Sequence, residues 1–225
     1  MNESMQNMET EDKIYEDNAK NAFYKLSTFA EYDEVHNHYK NTAETYDKMT
    51  ECLNYNGPKD LLKELFEVGM KCDWKILDVA AGTGILGREL QLNGCFYIDA
   101  LDSCQQMLDK AKEKNIYREL ICSKVGDGAV LPIESNTYDA VVMSGAFCPE
   151  HLKVDSYLEL TRIVKSGGLI GNIYRKSMLK HPNCLGLSNF IKSYEDENIW
   201  RLIKNKVTKN YYNGVDGILR VFKIL

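Results

Sequence analysis

KILDVAAGTGILGREL, residues 75–90, is the stretch that decides how this chain is built. It opens as an apolar strand and reaches an acid at Asp78. A loop of small residues follows, and helical spacing begins near Ile85. Gly82 and Gly84 let the backbone take unusual φ values and let a ligand approach closely. The helix behind them presents unpaired N–H groups and a partial positive charge at its start. Such a terminus attracts a phosphate or a carboxylate. In open α/β sheets, ligands sit beyond the carboxyl ends of the strands, which is where this loop lies.

Outward from this stretch, strands and helices take turns. Residues 75–80 read as a strand and 85–92 as a helix. Residues 96–101 are a strand, 105–114 a helix, and 120–125 and 138–144 are strands. Tyr157, Leu160, Thr161 and Val164 share one helix face, and Gly167-Gly168 is a suitable helix stop. Residues 169–174 are the next strand. Alternation of this kind implies crossover units and a mostly parallel sheet covered on both faces. The ending differs: 199–212 reads as a short helix end running into a strand. Asn213-Gly214 then reads as a turn and 218–225 as a strand, an antiparallel closing pair.

Upstream, residues 1–17 carry Glu3, Glu9, Glu11, Asp12, Glu16 and Asp17 against Lys13, and read as a disordered acidic tail. Residues 18–73 read as an N-terminal helical cap segment. Within it Pro58 opens a helix whose buried face is Leu61, Leu62, Leu65 and Phe66. Residues 74–225 form the core.

The chemistry rests on three acids after three successive strands. Gly82-Thr83-Gly84-Ile85-Leu86-Gly87 matches the dinucleotide pattern G-x-G-x-x-G, weak evidence alone. Asp78 discriminates. A carboxylate beside a pyrophosphate is repulsive, whereas S-adenosylmethionine (SAM) offers an ammonium for that acid and a carboxylate for the backbone N–H groups. Asp102 ends the next strand and can accept from both ribose hydroxyls, a role NAD and SAM share. Asp127, in Gly126-Asp127-Gly128, can accept from the adenine amino group, with neighbouring N–H groups on the ring edge. Ser144 ends the fourth strand beside the expected position of the methyl group.

These residues resemble class I SAM-dependent methyltransferases. Asp78-x-Ala80-x-Gly82-x-Gly84 is similar to the family's first motif, with Ala80 in place of the usual first glycine. Asp102-Ser103-Cys104-Gln105-Gln106-Met107 resembles its acidic second-strand motif, in which the methionine packs on the adenine. Residues 126–133 resemble its adenine loop, 138–144 its fourth strand and 160–168 the lead into its fifth. Tyr46-Asp47 and the 53–58 segment narrow the likeness to the methyltransferase-like group of the Williams–Beuren syndrome region. There the segment before the first strand closes over the cofactor, which implies that Tyr46 sits near the methionine part of SAM. The resemblance implies a Rossmann-like α/β fold: a mostly parallel seven-stranded sheet with a C-terminal antiparallel β-hairpin.

Composition sets bounds on the alternatives. The 225 residues fit one ordinary domain, and a net charge of −5 argues against broad, charge-driven binding to nucleic acid. Seven cysteines, an odd number without C-x-x-C, argue against a disulfide framework or zinc site and for a reducing compartment, the cytoplasm or the nucleus. No apolar run reaches the ~18 residues that span a membrane. The polar, acidic first residues do not read as a secretory signal. His36 and His38 lack further ligands for a metal. His151 lies in a loop facing the acceptor side and reads as a loop residue, with a general base as the alternative. Tyr174 and Arg175 follow the fifth strand and serve equally as pocket or surface. Lys204, Lys206 and Lys209 read as a solvated strand face. The expected reaction is in-line displacement at a sulfonium methyl, which needs near-attack positioning more than a dedicated base. No catalytic residue is assigned and the methyl acceptor stays unidentified. The 144–147 sequence Ser-Gly-Ala-Phe disfavours methylation of adenine or glutamine amides. An NAD(P) oxidoreductase and a SAM-binding protein without transferase activity are the competing expectations.

Overall fold

A computed structural model of the chain describes Lys13, Asp17 and residues 19–21, 31–147 and 151–225. The tail expected over 1–17 lies outside these residues apart from Lys13 and Asp17, as do Cys148, Pro149 and Glu150. Described residues 19–21 are helical, and the first elements with defined limits are α1 (Tyr32–Thr42), α2 (Tyr46–Cys52) and α3 (Gly57–Glu67). Then follow β1 (Ile76–Val79), α4 (Ile85–Leu92), β2 (Ile98–Asp102), α5 (Gln105–Glu113), β3 (Leu120–Cys122) and β4 (Tyr138–Ser144). The chain continues through α6 (Ser156–Ile163), β5 (Val164–Arg175), two short 3-10 turns, α7 (Leu187–Asp196), β6 (Trp200–Tyr212) and β7 (Val215–Ile224).

The strands form one seven-stranded sheet in the order β3-β2-β1-β4-β5-β7-β6. Strands β1 to β5 pair in parallel, and β7 enters antiparallel between β5 and β6. The expected α/β class, parallel core and closing hairpin are all present. Alternate residues of β4 feed opposite faces. Val141 and Met143 join a core with α6 and α7, and Ala140 and Val142 join a core with α2, α3 and α4. In the first core Trp200 stacks on Phe222 at 4.3 Å, and its Nε1 donates to the Ile191 carbonyl at 3.1 Å. On the other face Pro58 stands in the first turn of α3, and Leu61, Leu62 and Leu65 are buried against the sheet. Gly171 of β5 makes that contact close: a Cβ there would lie 2.9 Å from Leu65 Cδ2.

Several boundaries differ from the sequence reading: β2 spans Ile98–Asp102, β3 stops at Cys122 and β7 already begins at Val215, and two larger differences have a clear cause. Helix α6 stops at Ile163, and Val164 already pairs with Tyr138 as a strand residue. Gly167-Gly168 therefore lies inside β5, where the pairing with β4 shifts register, and a Cβ on Gly168 would meet the Asp139 carbonyl at 2.6 Å. Long-range pairing overrides the helical spacing of Val164. Residues 200–212 are strand throughout, and the preceding helix ends earlier, at Asp196. The lysines of β6 are ion-paired: Lys204 with Glu64 and Glu67, each at 3.0 Å, Lys206 with Glu64, and Lys209 with Asp216 at 2.7 Å.

Leu65→Ala should lower unfolding free energy by about 3 kcal/mol, the usual cost of a cavity at a fully buried leucine. Chemical denaturation followed by circular dichroism measures it.

Candidate functional site

The strand order reverses between β1 and β4, so the connections after them leave toward opposite edges of the sheet. A crevice opens beyond their carboxyl ends, the place where open α/β sheets bind ligands. Here it is a cleft of about 810 Å³. A smaller cavity of about 350 Å³ adjoins it, and Tyr46, Ala80, Gly82 and Ser144 line both. Asp102, Ser103 and Met107 line the larger space, and Asp78 the smaller one. Of the anticipated site residues, these eight come together around one opening.

Two acids organise the opening. Asp102 Oδ2 accepts from the Gly82 N–H and Oδ1 from the Cys104 N–H, both at 2.8 Å. Each oxygen keeps a lone pair for a further donor. Burial raises the pKa of Asp102, while those N–H groups and His36 on α1 oppose the rise. Asp78 is 1% exposed, and Tyr117 donates its phenol to Oδ2 at 2.7 Å. Burial pushes this carboxyl up to about 7, against the Tyr117 hydrogen bond, and Asp102 adds to the rise. No lysine or arginine pairs with Asp78 among the described residues.

The loop between the acids takes its shape from left-handed backbone. Gly82 has φ +56° and Gly84, the residue before α4, φ +88°. A Cβ on Gly82 would meet nothing within 4 Å, so this residue forms an open floor. Gly84 lines neither cavity but sets the start of α4. Ala80 has φ +55°. The chain thus holds an L-residue in a left-handed conformation that costs roughly 1–2 kcal/mol.

The helices before the sheet cover the cleft. Tyr32, His36 and Tyr39 of α1 and Tyr46 of α2 line it. Asp47 receives a hydrogen bond from Thr83 Oγ1 and pairs with Lys114 at 2.5 Å, while Glu44 pairs with Lys110 at 2.7 Å. Tyr39, Ala43 and Tyr46 pack on Cys104 and Met107.

Other anticipated residues stand elsewhere. Asp127 and Gly128 do not line either cavity. Asp127 is held by Lys124 at 2.6 Å and Lys153 at 3.1 Å, and its N–H donates to Asp155 at 2.6 Å. Ser123, Lys124 and Val125 line the cleft in their place. His151 also lines it, with its ring edge-on to Tyr39 at 5.0 Å. Tyr174 is fully buried beneath Arg220, and Arg175 donates to Tyr212 at 3.4 Å; neither reaches the cleft. Among the described residues no three His, Cys, Asp or Glu side chains converge as a metal would require.

Residues 77–171 match the family described as methyltransferase domain. Human methyltransferase-like protein 27 is 31% identical over 135 residues, 59% of this chain and 54% of that protein. Demethylmenaquinone methyltransferase of Staphylococcus aureus (strain MRSA252) is 26% identical over 143 residues, 61% of this chain and 58% of that protein. Through these residues the chain is similar to methyltransferases. Its match spans only a little over half the length of these relatives. Solved structures agree on the fold. A SAM-dependent methyltransferase from Aquifex aeolicus covers 73% of this chain and 88% of its own, with TM-score 0.52 and 21% identity. The PH0226 protein of Pyrococcus horikoshii covers 76% and 91%, with TM-score 0.56 and 19% identity.

Three further residues that the sequence reading does not single out shape this site. Tyr117 passes over the first turn of α4, and a Cβ on Gly87 would collide with its hydroxyl. Gly87, the third glycine of the pattern, therefore serves to admit Tyr117; that glycine was the only trace of Tyr117 in the sequence. Tyr55 lines the smaller cavity and Tyr211 stands behind it: Tyr55 OH is hydrogen-bonded to Ser144 Oγ at 2.6 Å and to Tyr211 OH at 3.1 Å. The 53–58 segment contains Tyr55 without pointing to its hydroxyl contacts, and no local pattern marks Tyr211.

Ala80→Gly should raise stability by about 1 kcal/mol, seen as a higher denaturation midpoint, because it relieves a left-handed alanine. Asp78 generates a pH signature. Its folded pKa lies at about 7 against an ordinary value of 3.8. Its protonated form is thus favoured on folding, so stability is highest below pH 4 for this group and is lost as pH rises to 7. Asp78→Asn keeps the Tyr117 contact and removes the charge. Its stability relative to the parent should grow by on the order of 4 kcal/mol between pH 4 and pH 8. Parallel denaturation curves across that range measure it.

Proposed function

We propose that the chain transfers the methyl group of SAM to an acceptor, with the cofactor along the crevice between β1 and β4. SAM supplies an electrophilic methyl on a sulfonium whose departure leaves a neutral thioether. Asp102 would accept from the ribose hydroxyls with the lone pairs that Gly82 and Cys104 leave unused. Met107, Leu101 and Val125 offer an apolar bed for the adenine. Lys124 and Lys153 would have to release Asp127 before it could receive the adenine amino group. Asp78, buried and lacking a cation, would take the ammonium, with the loop at Gly82 and Gly84 toward the carboxylate. Tyr46 would close over the methionine part, and residues 18–73 would serve as the cap of a 74–225 core.

The observation that carries this reading is the pair Asp78 and Asp102 at neighbouring strand ends around one opening. Their charge suits a ligand with a cationic tail and opposes a pyrophosphate. The antiparallel β7 beside β5 also departs from the second parallel half that dinucleotide enzymes use. The free thiols at Cys52, Cys72, Cys95, Cys104, Cys122 and Cys184 fit a reducing compartment.

Catalysis would rest on holding acceptor and methyl in line within a closed cleft, an effect worth up to about 7–11 kcal/mol. The cap helices exclude water by packing Tyr39 and Tyr46 over Cys104 and Met107.

Isothermal calorimetry tests the assignment. SAM should bind with a 1:1 stoichiometry and NADH should not. Asp102→Ala should weaken SAM by at least tenfold with an unchanged circular dichroism spectrum, since it removes charge-assisted hydrogen bonds to the ribose. Unaltered affinity in that variant would refute the ribose role. Release of S-adenosylhomocysteine over a panel of acceptors separates an enzyme from a SAM-binding protein without turnover.

A further inference from the structure

Three hydroxyls meet at the carboxyl end of β4, each delivered by a different part of the chain. Ser144 is the last residue of that strand. Tyr55 comes from the turn between α2 and α3, and Tyr211 from β6 beside the hairpin turn. Backbone hydrogen bonds fix the two tyrosines to each other's segments: Asn56 N–H donates to the Tyr211 carbonyl at 2.9 Å, and Asn213 N–H to the Leu53 carbonyl at 2.8 Å. Their rings meet edge to face at 5.2 Å.

Two glycines leave room for the trio. A Cβ on Gly57 would lie 2.8 Å from Ser144 Oγ and 2.9 Å from the Tyr55 ring. A Cβ on Gly145 would lie 3.0 Å from Tyr55 OH and 3.3 Å from Tyr211 OH. The backbone is cut back on both sides of one hydroxyl cluster.

Its position follows from the two cavities. Ser144 and Ala80 line both, so they form the neck between them. In the proposed SAM reading the nucleoside lies in the larger space by Asp102 and the amino-acid tail in the smaller one by Asp78. Sulfur joins those two parts of the cofactor, so the methylsulfonium belongs at the neck. Hydroxyl oxygens there would face a methyl made electropositive by its sulfur.

We propose that Tyr55 and Ser144 form the seat of the transferable methyl group and position the acceptor beside it, with Tyr211 holding the Tyr55 hydroxyl in place from behind. The inference rests on the SAM reading and adds the residues that distinguish methyl-bearing from methyl-free cofactor.

Two ligands test the seat without any acceptor. Sinefungin carries an amine where SAM carries its methyl, and S-adenosylhomocysteine carries nothing there. Calorimetry on the full chain should show wild type preferring sinefungin. Tyr55→Phe and Ser144→Ala should each weaken sinefungin by about tenfold, the effect of losing a hydrogen bond to a charged group, and S-adenosylhomocysteine by no more than threefold. Equal weakening of both ligands, or of neither, overturns the seat while leaving the SAM reading intact. Failure of wild type to bind either ligand overturns both. Phenylalanine keeps ring packing, and circular dichroism confirms that each variant is folded.

Discussion

Two carboxylates at neighbouring strand ends, Asp78 buried and Asp102 half-buried, with no fixed cation on Asp78 among the described residues, are the constraint around which this site is built. Desolvation of Asp78 costs the free protein stability, and the surroundings reduce the cost with Tyr117 and backbone N–H groups rather than remove it. Placing a lysine there would be the simpler route to stability. Its absence leaves the acid available to a mobile positive charge. Asp102 is treated differently: two N–H donors hold its carboxylate in one orientation while keeping one face of each oxygen open. The loop geometry at Gly82 serves both acids, since that N–H fixes one and its missing side chain opens space beside the other.

Around this pair the chain draws in segments from before and after its parallel strands. Helices α1 and α2 arrive before the sheet, and the β6–β7 hairpin closes it. They meet at the turn carrying Tyr55, where main-chain hydrogen bonds tie the cap to the hairpin. Charged contacts from Glu44 and Asp47 anchor the other side of the cap to α5 and the motif loop. These exposed pairs contribute little stability in water, and their geometry serves to place Tyr46 and Tyr39 over the cleft.

The sequence made the sheet and its central motif legible because both are local. Strand β4 and helix α4 follow the expected limits, since apolar runs and small-residue loops signal them directly. Val164 and residues 199–212 were misread where pairing across the sheet outweighs local spacing. The same distinction holds at the site. Asp78, Gly82, Asp102 and Ser144 were legible because they end strands at regular intervals. Tyr117, Tyr55 and Tyr211 were not, because their significance arises from contacts 39, 89 and 156 residues away along the chain. Asp127 shows the converse: its position in the loop is as expected, and lysines from two segments hold it aside.

The most direct measurement is the affinity of S-adenosylhomocysteine as a function of pH. If the ammonium of the ligand is held by an Asp78 carboxylate that titrates near 7, binding tightens by about tenfold from pH 6 to pH 8. Asp78→Asn then binds weakly at both values. Affinity that is flat across this range in the parent chain, and equal in the variant, contradicts the account.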